Sequence, residues 1–180
     1  MIDDLIALAN RLVSASPNKP RQVDLRRAVS TAYYALFHAM AKNVADSMAG
    51  AVKANRSEQA WAQAYRGLQH GDARTACDAI RNQNLSQEIK DCADSFVVLQ
   101  SARHAADYDP LHRLTRAEAV LAVQNAKDAI GKLRSATSKD RRAFAVLVLV
   151  RKRRHGGGRV IAGVRRHGGA WLLFYRRTKA

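Results

Sequence analysis

Cysteine and proline are scarce in this sequence, and both shortages narrow the class of protein. The two cysteines, Cys77 and Cys92, have a spacing that fits neither a zinc site nor a redox motif. A disulfide-dependent secreted domain is therefore not expected, and a reducing cytoplasmic location fits better. The three prolines, Pro17, Pro20 and Pro110, leave long uninterrupted stretches that can form helices.

The first residues do not predict a secretory leader, and long apolar runs are missing as well. The first four residues include Asp3 and Asp4, whereas a signal peptide begins with basic residues. The longest apolar run covers residues 143–150, and a membrane helix needs about 20 residues. The sequence therefore predicts neither secretion nor a membrane span.

Common cofactor and metal motifs are absent too. The sequence has no P-loop, no Gly-x-Gly-x-x-Gly turn and no His-Glu-x-x-His motif. No cofactor and no metal are therefore expected. Two possibilities remain for the function of the chain. It either carries out chemistry on phosphate groups with positioned basic side chains, or it is not catalytic.

Positive charge is abundant, and most of it lies at one end of the chain. The formal net charge is +16, and residues 139–180 hold 13 basic residues against the single acid Asp140. Six of the ten glycines lie between residues 156 and 169. The composition predicts a body of residues 1–138 and a basic, glycine-rich extension of residues 139–180. Such an extension attracts phosphate polymers or anionic surfaces by counterion release.

Two apolar stretches interrupt this extension. They are residues 143–150, with three β-branched valines, and residues 171–175. Both favour strands, so a short β-hairpin across the glycine-rich stretch is one expectation. An unstructured extension is the alternative.

Apolar residues recur at helical spacing throughout the body, which predicts an all-α fold. Ser57 is expected to cap one helix, and Thr115 with Glu118 forms a capping box at the start of another. A short helical turn is expected over residues 74–81. Short connections between such helices favour an antiparallel bundle of four to five helices. The expected helices cover residues 2–15, residues 22–49, a range from Ser57 to before Gly71, residues 86–109 and residues 115–136.

The second of these helices has a polar line beside its apolar face. The line lies within about 40° around the helix axis and has two interpretations. It is either a solvated or dimer-facing surface or the wall of a cleft, with Arg27 available to phosphate and His38 titrating near neutral pH. A neighbouring stripe of small residues allows another helix to approach closely. The polar line comprises Arg27, Thr31, Tyr34 and His38, and the alanine stripe comprises Ala28, Ala32, Ala35 and Ala39.

The helix over residues 86–109 breaks its own apolar pattern near its end. Its apolar face continues onto Arg103 and Asp107, which are spaced for an ion pair within the helix. Unpaired charge at an apolar position is costly, and such breaks mark functional or register-setting sites. The pair is either a structural clamp or an anion site in which Asp107 orients Arg103. His104 and Tyr108 flank it and supply acid–base groups.

Two stretches of the sequence resemble the HEPN family of helical proteins. The first, residues 25–39, reads LRRAVSTAYYALFHA, and the second, residues 101–110, reads SARHAADYDP. Residues 61–68 fit the segment between them, and the resemblance covers roughly residues 20–150. It implies an all-α bundle, usually a homodimer in which two signature helices face a shared cleft.

Many HEPN proteins are metal-independent ribonucleases, often toxins paired with a nucleotidyltransferase-type antitoxin or parts of antiviral systems. The resemblance therefore implies RNA or a nucleotide as the ligand. In such a site a His assists attack by the RNA 2′-hydroxyl, and an Arg stabilises the charge of the phosphorane-like transition state. The candidates are Arg103, His104 and His38 for catalysis, and Arg27, Tyr34, Asp107 and Tyr108 for substrate binding.

The usual HEPN motif, an Arg followed after four to six residues by a His, is absent from this sequence. Three hypotheses stay open for Arg103: cleavage with His38 or His104 as the base, binding of RNA or a nucleotide without cleavage, and a purely structural role. A non-catalytic module that dimerises through the alanine stripe and docks a partner is the alternative from another class. A basic extension that binds nucleic acid by itself is a third.

Overall fold

A computed structural model of the chain describes residues 1–16, 18–150, 160–167 and 170–177. The chain divides into two compact units, residues 1–150 and residues 151–180. The described part of the first unit contains seven α-helices and one 3₁₀ turn, Lys53–Asn55. None of these helices combines the length and apolarity that a bilayer span requires. The helices are α1 (Ile2–Ser14), α2 (Gln22–Ala49), α3 (Glu58–Gly67), α4 (His70–Ile80), α5 (Gln87–Tyr108), α6 (Arg116–Ser135) and α7 (Ser138–Leu149).

The central helix is α2, which packs against α1, α3, α5, α6 and α7. Its apolar face is buried, with Tyr33 and Leu36 no more than 1 % exposed. Ala28, Ala32 and Ala35 are also fully buried. Neighbouring helices of the same chain therefore pack closely against these small residues. The alanine stripe is part of the core and is not a free surface for dimerisation.

The helices predicted from periodicity lie close to their observed positions. α2 has the predicted bounds, and α1, α5 and α6 differ by no more than one residue at either end. Ser57 caps α3 by accepting a hydrogen bond from the Ala60 N–H at 3.2 Å. In the capping box of α6, the Glu118 N–H donates to Thr115 Oγ1 at 3.2 Å, and the Thr115 N–H donates to Glu118 Oε2 at 2.7 Å. The all-α prediction for the body is confirmed.

The predicted number of helices and the predicted end of the body are wrong. α4 is a full helix rather than a single turn, and α7 lies in residues expected to be a strand of the extension. Thr137 caps α7 by accepting from the Asp140 N–H at 3.1 Å. Phe144 and Val148, one turn apart, are buried, and α7 packs against α2 and α4. This packing outweighs the β propensity of the valines, and the first unit ends at residue 150 instead of 138.

The second unit contains a β-hairpin. Strands β1 (Val160–His167) and β2 (Ala170–Arg177) pair antiparallel, with Val160 opposite Arg177 and His167 opposite Ala170. The expected first strand, residues 143–150, is instead part of α7 and the residue that follows it. The glycine-rich residues 156–158 and 168–169 lie outside the described residues, as does Pro17.

A side chain from α2 closes the C-terminal end of α5. Backbone carbonyls in the last turn of a helix have no partner within the helix, and here a charged donor satisfies them. The same side chain also bonds the loop that follows, so it fixes the connection between α5 and α6 against α2. Arg26 donates three hydrogen bonds of 2.5 to 2.9 Å, to the carbonyl oxygens of Ala106, Asp109 and His112.

We expect Arg26→Ala to lower the free energy of unfolding by about 2 kcal/mol, because hydrogen bonds from charged donors contribute about 1.5–3 kcal/mol. Arg27→Ala is the matched control, since Arg27 is adjacent but exposed, and surface changes stay within about 0.5 kcal/mol. Urea denaturation followed by circular dichroism measures both variants. Equal losses in the two would contradict the role of Arg26.

Candidate functional site

The charged pair predicted at the end of α5 forms in the structure. Arg103 Nε lies 2.7 Å from Asp107 Oδ2, and each side chain is 20 % exposed. The Nε–H does not point at this oxygen, so the contact is an ion pair rather than an aligned hydrogen bond. Asp107 Oδ1 accepts a hydrogen bond from the Ser30 hydroxyl of α2. Asp107 therefore joins α5 to α2 and holds the guanidinium beside α2.

Two tyrosines flank the Arg103 guanidinium. Nη2 donates to the Tyr34 hydroxyl at 2.9 Å. The guanidinium carbon lies 5.5 Å from the ring centre of Tyr34 and 5.1 Å from that of Tyr108, which is within cation–π range. Tyr108 is 62 % exposed. An anion that approaches Arg103 therefore meets exposed aromatic surface beside the positive charge.

His70, which the sequence-based candidates do not include, lies in the same cluster. It is the first residue of α4, and its Nδ1 lies 2.6 Å from the Tyr33 hydroxyl. Its ring stacks on Phe37 at 3.8 Å and lies 6.0 Å from the Tyr34 ring. Burial lowers the pKa of His70, and the positive charge of Arg103 lowers it further. At pH 7 His70 is therefore a neutral imidazole in the field of Arg103.

Tyr33 and Gln100 fix the position of the proton on neutral His70. Burial raises the pKa of Tyr33 to about 12, so its hydroxyl stays protonated. Gln100 Nε2 donates to the Tyr33 oxygen at 3.4 Å and to the His70 carbonyl at 2.9 Å. Within the described residues, His70 Nδ1 is the acceptor that the Tyr33 proton can reach. The neutral ring therefore carries its own proton on Nε2.

His38 lies one turn beyond Tyr34 on α2 and has a different tyrosine as its partner. Its Nδ1 lies 2.8 Å from the Tyr65 hydroxyl, and the two rings stack with centres 6.0 Å apart. The His38 ring centre is 6.4 Å from that of Tyr34. Burial lowers the pKa of His38 and raises that of Tyr65. His38 is therefore a second neutral histidine at the edge of the cluster.

The remaining two candidates lie apart from these residues. Arg27 is exposed on α2 and makes no hydrogen bond or ion pair within the described part of the chain. His104 lines an open groove of about 840 Å³ between α4 and α5, and its ring lies 4.7 Å from that of Tyr108.

We use the name Arg103 cluster for Arg103, Asp107, Ser30, Tyr34, Tyr33, His70 and His38.

One sequence signal pointed towards His70 without identifying it. Tyr33 falls on the core face of α2, and a buried tyrosine hydroxyl usually has a hydrogen-bond partner. That partner lies 37 positions away, at the start of a helix predicted too short. Among the described residues, no three His, Cys, Asp or Glu side chains are placed to hold a metal ion.

Comparisons of the chain with models of protein families, with curated proteins and with solved structures found no match. The interpretation of the Arg103 cluster therefore rests on its own geometry.

We expect the free energy of unfolding to fall as the pH is lowered from about 7.5 to about 5.5. Burial lowers the pKa of His38 and of His70, so below the usual value near 6.5 the unfolded chain binds protons that the folded chain does not. The stabilisation is present above that value and is lost as the pH falls. Carboxyl groups with lowered pKa values, such as Asp91 and Glu118, start from 3.8 and 4.5 and titrate outside this window.

Urea denaturation at several pH values checks this expectation. The double variant His38→Gln, His70→Gln serves as the control and should show a flatter pH dependence. An equal pH dependence in the double variant and the unmodified chain would contradict the assignment to these two histidines.

Proposed function

We propose that this chain is a HEPN-type protein that binds RNA or a nucleotide at the Arg103 cluster. The observation that carries the proposal is a guanidinium held by Asp107 between Tyr34 and the exposed ring of Tyr108. A planar guanidinium in a fixed orientation suits phosphate. Exposed rings beside it suit the unstacked bases of single-stranded RNA.

The Arg103 side chain is held by protein partners but is not fully buried. Nε faces Asp107 and Nη2 donates to Tyr34. Tyr108 is a further hydrogen-bond partner of the guanidinium, and the Arg103 side chain is 20 % exposed. A phosphate can therefore approach the guanidinium from its exposed side, next to Tyr108, without displacing Asp107. This supports a binding role in addition to the structural one.

Metal-independent cleavage of RNA is a second function that the two histidines favour. Tyr65 lines an open cavity of about 640 Å³, where water can accept its proton. Tyr65 can therefore accept from His38 Nδ1–H, which leaves His38 Nε2 unprotonated and able to act as a base. His70 Nε2–H and Arg103 then remain as donors for a charged phosphate.

The proposed cleavage begins with attack by the ribose 2′-oxygen on the adjacent phosphorus. His38 takes the proton of the 2′-hydroxyl, the bond from phosphorus to the 5′-oxygen breaks, and solvent protonates the leaving oxygen. Arg103 and His70 stabilise the charge that develops on the phosphoryl oxygens. A cyclic 2′,3′-phosphate is the product. His104, which lines the groove, has no part in this scheme.

The setting of this activity is a further part of the proposal. The resemblance to HEPN proteins implies a homodimer and a toxin–antitoxin or defence system with a nucleotidyltransferase-type antitoxin. The basic second unit adds non-specific attraction for RNA. The alternative from another class is a non-catalytic helical interaction module.

We expect Arg103→Ala to weaken binding of labelled single-stranded RNA by at least about tenfold, because a charged hydrogen bond to phosphate is lost. Arg11→Ala removes the same charge from an exposed position on α1 and should leave the affinity nearly unchanged. Fluorescence anisotropy of the full chains at one fixed salt concentration measures both variants. If Arg103→Ala keeps its RNA affinity but loses melting temperature, the cluster is structural and the interaction module is the better account.

We expect the full chain to cleave single-stranded RNA in the presence of EDTA and to leave cyclic phosphate ends. His38→Gln and Arg103→Ala should each reduce the rate by about 10²–10³-fold, the range for loss of one stabilising or proton-transferring group. Product ends are read by gel mobility before and after acid treatment. RNA that is bound but stays intact would contradict cleavage and support binding alone.

A further inference from the structure

A second arginine, Arg74, lines the open groove between α4 and α5. It projects from α4, and His104 and Tyr108 line the same groove from α5. None of the contacts described above for Arg103 involves Arg74. The groove is therefore a second concave surface with a cation and two rings.

Arg74 is held by uncharged partners through one of its nitrogens. Nη1 donates to Ser101 Oγ at 3.0 Å, to Gln100 Oε1 at 3.3 Å and to the Val97 carbonyl at 3.5 Å. None of the ion pairs within the described residues includes Arg74. The guanidinium is thus oriented by protein contacts while its charge is not neutralised by a carboxylate, in contrast to Arg103.

Two residues of the groove, Gln100 and Tyr108, also contact members of the Arg103 cluster. Gln100 accepts from Arg74 through Oε1, and it donates through Nε2 to Tyr33 and to the His70 carbonyl. The Tyr108 ring lies 5.1 Å from the Arg103 guanidinium and 4.7 Å from the His104 ring. Tyr108 therefore contacts the Arg103 guanidinium and also lines the groove that contains Arg74.

Asp109 also lines the groove and carries the opposite charge. Its Oδ1 accepts a hydrogen bond from the Leu111 N–H at 2.9 Å. This hydrogen bond holds the Asp109 carboxylate at the loop after α5 without removing its charge. Among the ion pairs of the described residues, none joins Asp109 to Arg74.

We propose that this groove is a second nucleotide subsite, so that the ligand of the chain is single-stranded RNA of at least two nucleotides. Arg74 binds one phosphate, Arg103 binds the adjacent phosphate, and a base stacks on the rings of His104 and Tyr108. Each added phosphate contact and each stacked base strengthens binding of a single strand. Bases inside an A-form duplex are not available for such stacking. The inference rests on the proposed function and adds a second subsite and a minimum length of the ligand.

The test compares adenosine monophosphate with 5′-phosphorylated diadenylate by isothermal titration calorimetry on the full chain. Arg74→Gln should lower the affinity for the dinucleotide by about tenfold, because one charged phosphate contact is lost. The same variant should leave the affinity for the mononucleotide unchanged, since a mononucleotide engages Arg103 alone. Arg103→Gln should lower both affinities, and Arg11→Gln should lower neither.

His104→Ala provides a second variant whose fold is not at risk, because His104 is exposed. It should lower the dinucleotide affinity more than the mononucleotide affinity, through loss of one stacking surface. An equal effect of Arg74→Gln on both ligands, or no effect on either, would overturn the subsite while leaving the proposed function intact. No effect of Arg103→Gln on either ligand would instead overturn the proposed function itself.

Discussion

The structure depends on the hydrogen bonds at the C-terminal end of α5, where charged residues replace the apolar face of the helix. α2 supplies three of the partners, from positions four residues apart on one face. Arg26 donates to the backbone carbonyls and Ser30 donates to Asp107. The Tyr34 hydroxyl accepts from Arg103. His38 is the next position of the same row. A single helix face therefore closes the end of α5 and also arranges the polar groups of the Arg103 cluster.

A structural clamp and an anion site are consequently not competing descriptions of the Arg103–Asp107 pair. Asp107 is bonded to both helices, so it stabilises their contact and at the same time limits the orientations open to Arg103. A guanidinium that is already oriented loses little conformational freedom when a phosphate binds. Arg74 is oriented by uncharged partners instead, so its charge is screened less by the protein.

Much of the helical framework and the ion pair could be predicted from the sequence because they depend on local spacing and capping. The polar line of α2 could be predicted only in part. Arg26 and Arg27 are adjacent in the sequence, and helical spacing places both near the side of α2 that carries Tyr34 and His38. Which one faces α5 depends on how α2 is rotated in the core, and local periodicity does not fix that rotation. His70 and α7 depend in the same way on contacts between distant parts of the chain.

In the proposed cleavage the two histidines have different roles, because their tyrosine partners have different surroundings. Tyr33 is buried and already accepts from Gln100, so its proton goes to His70 and leaves Nε2–H as a donor. Tyr65 borders an open cavity, so its proton can go to water while it accepts from His38. Burial keeps both rings neutral at pH 7. In the proposed cleavage, the base activates the 2′-hydroxyl, and the donor and the oriented arginine stabilise the charge on the phosphoryl oxygens without a metal ion.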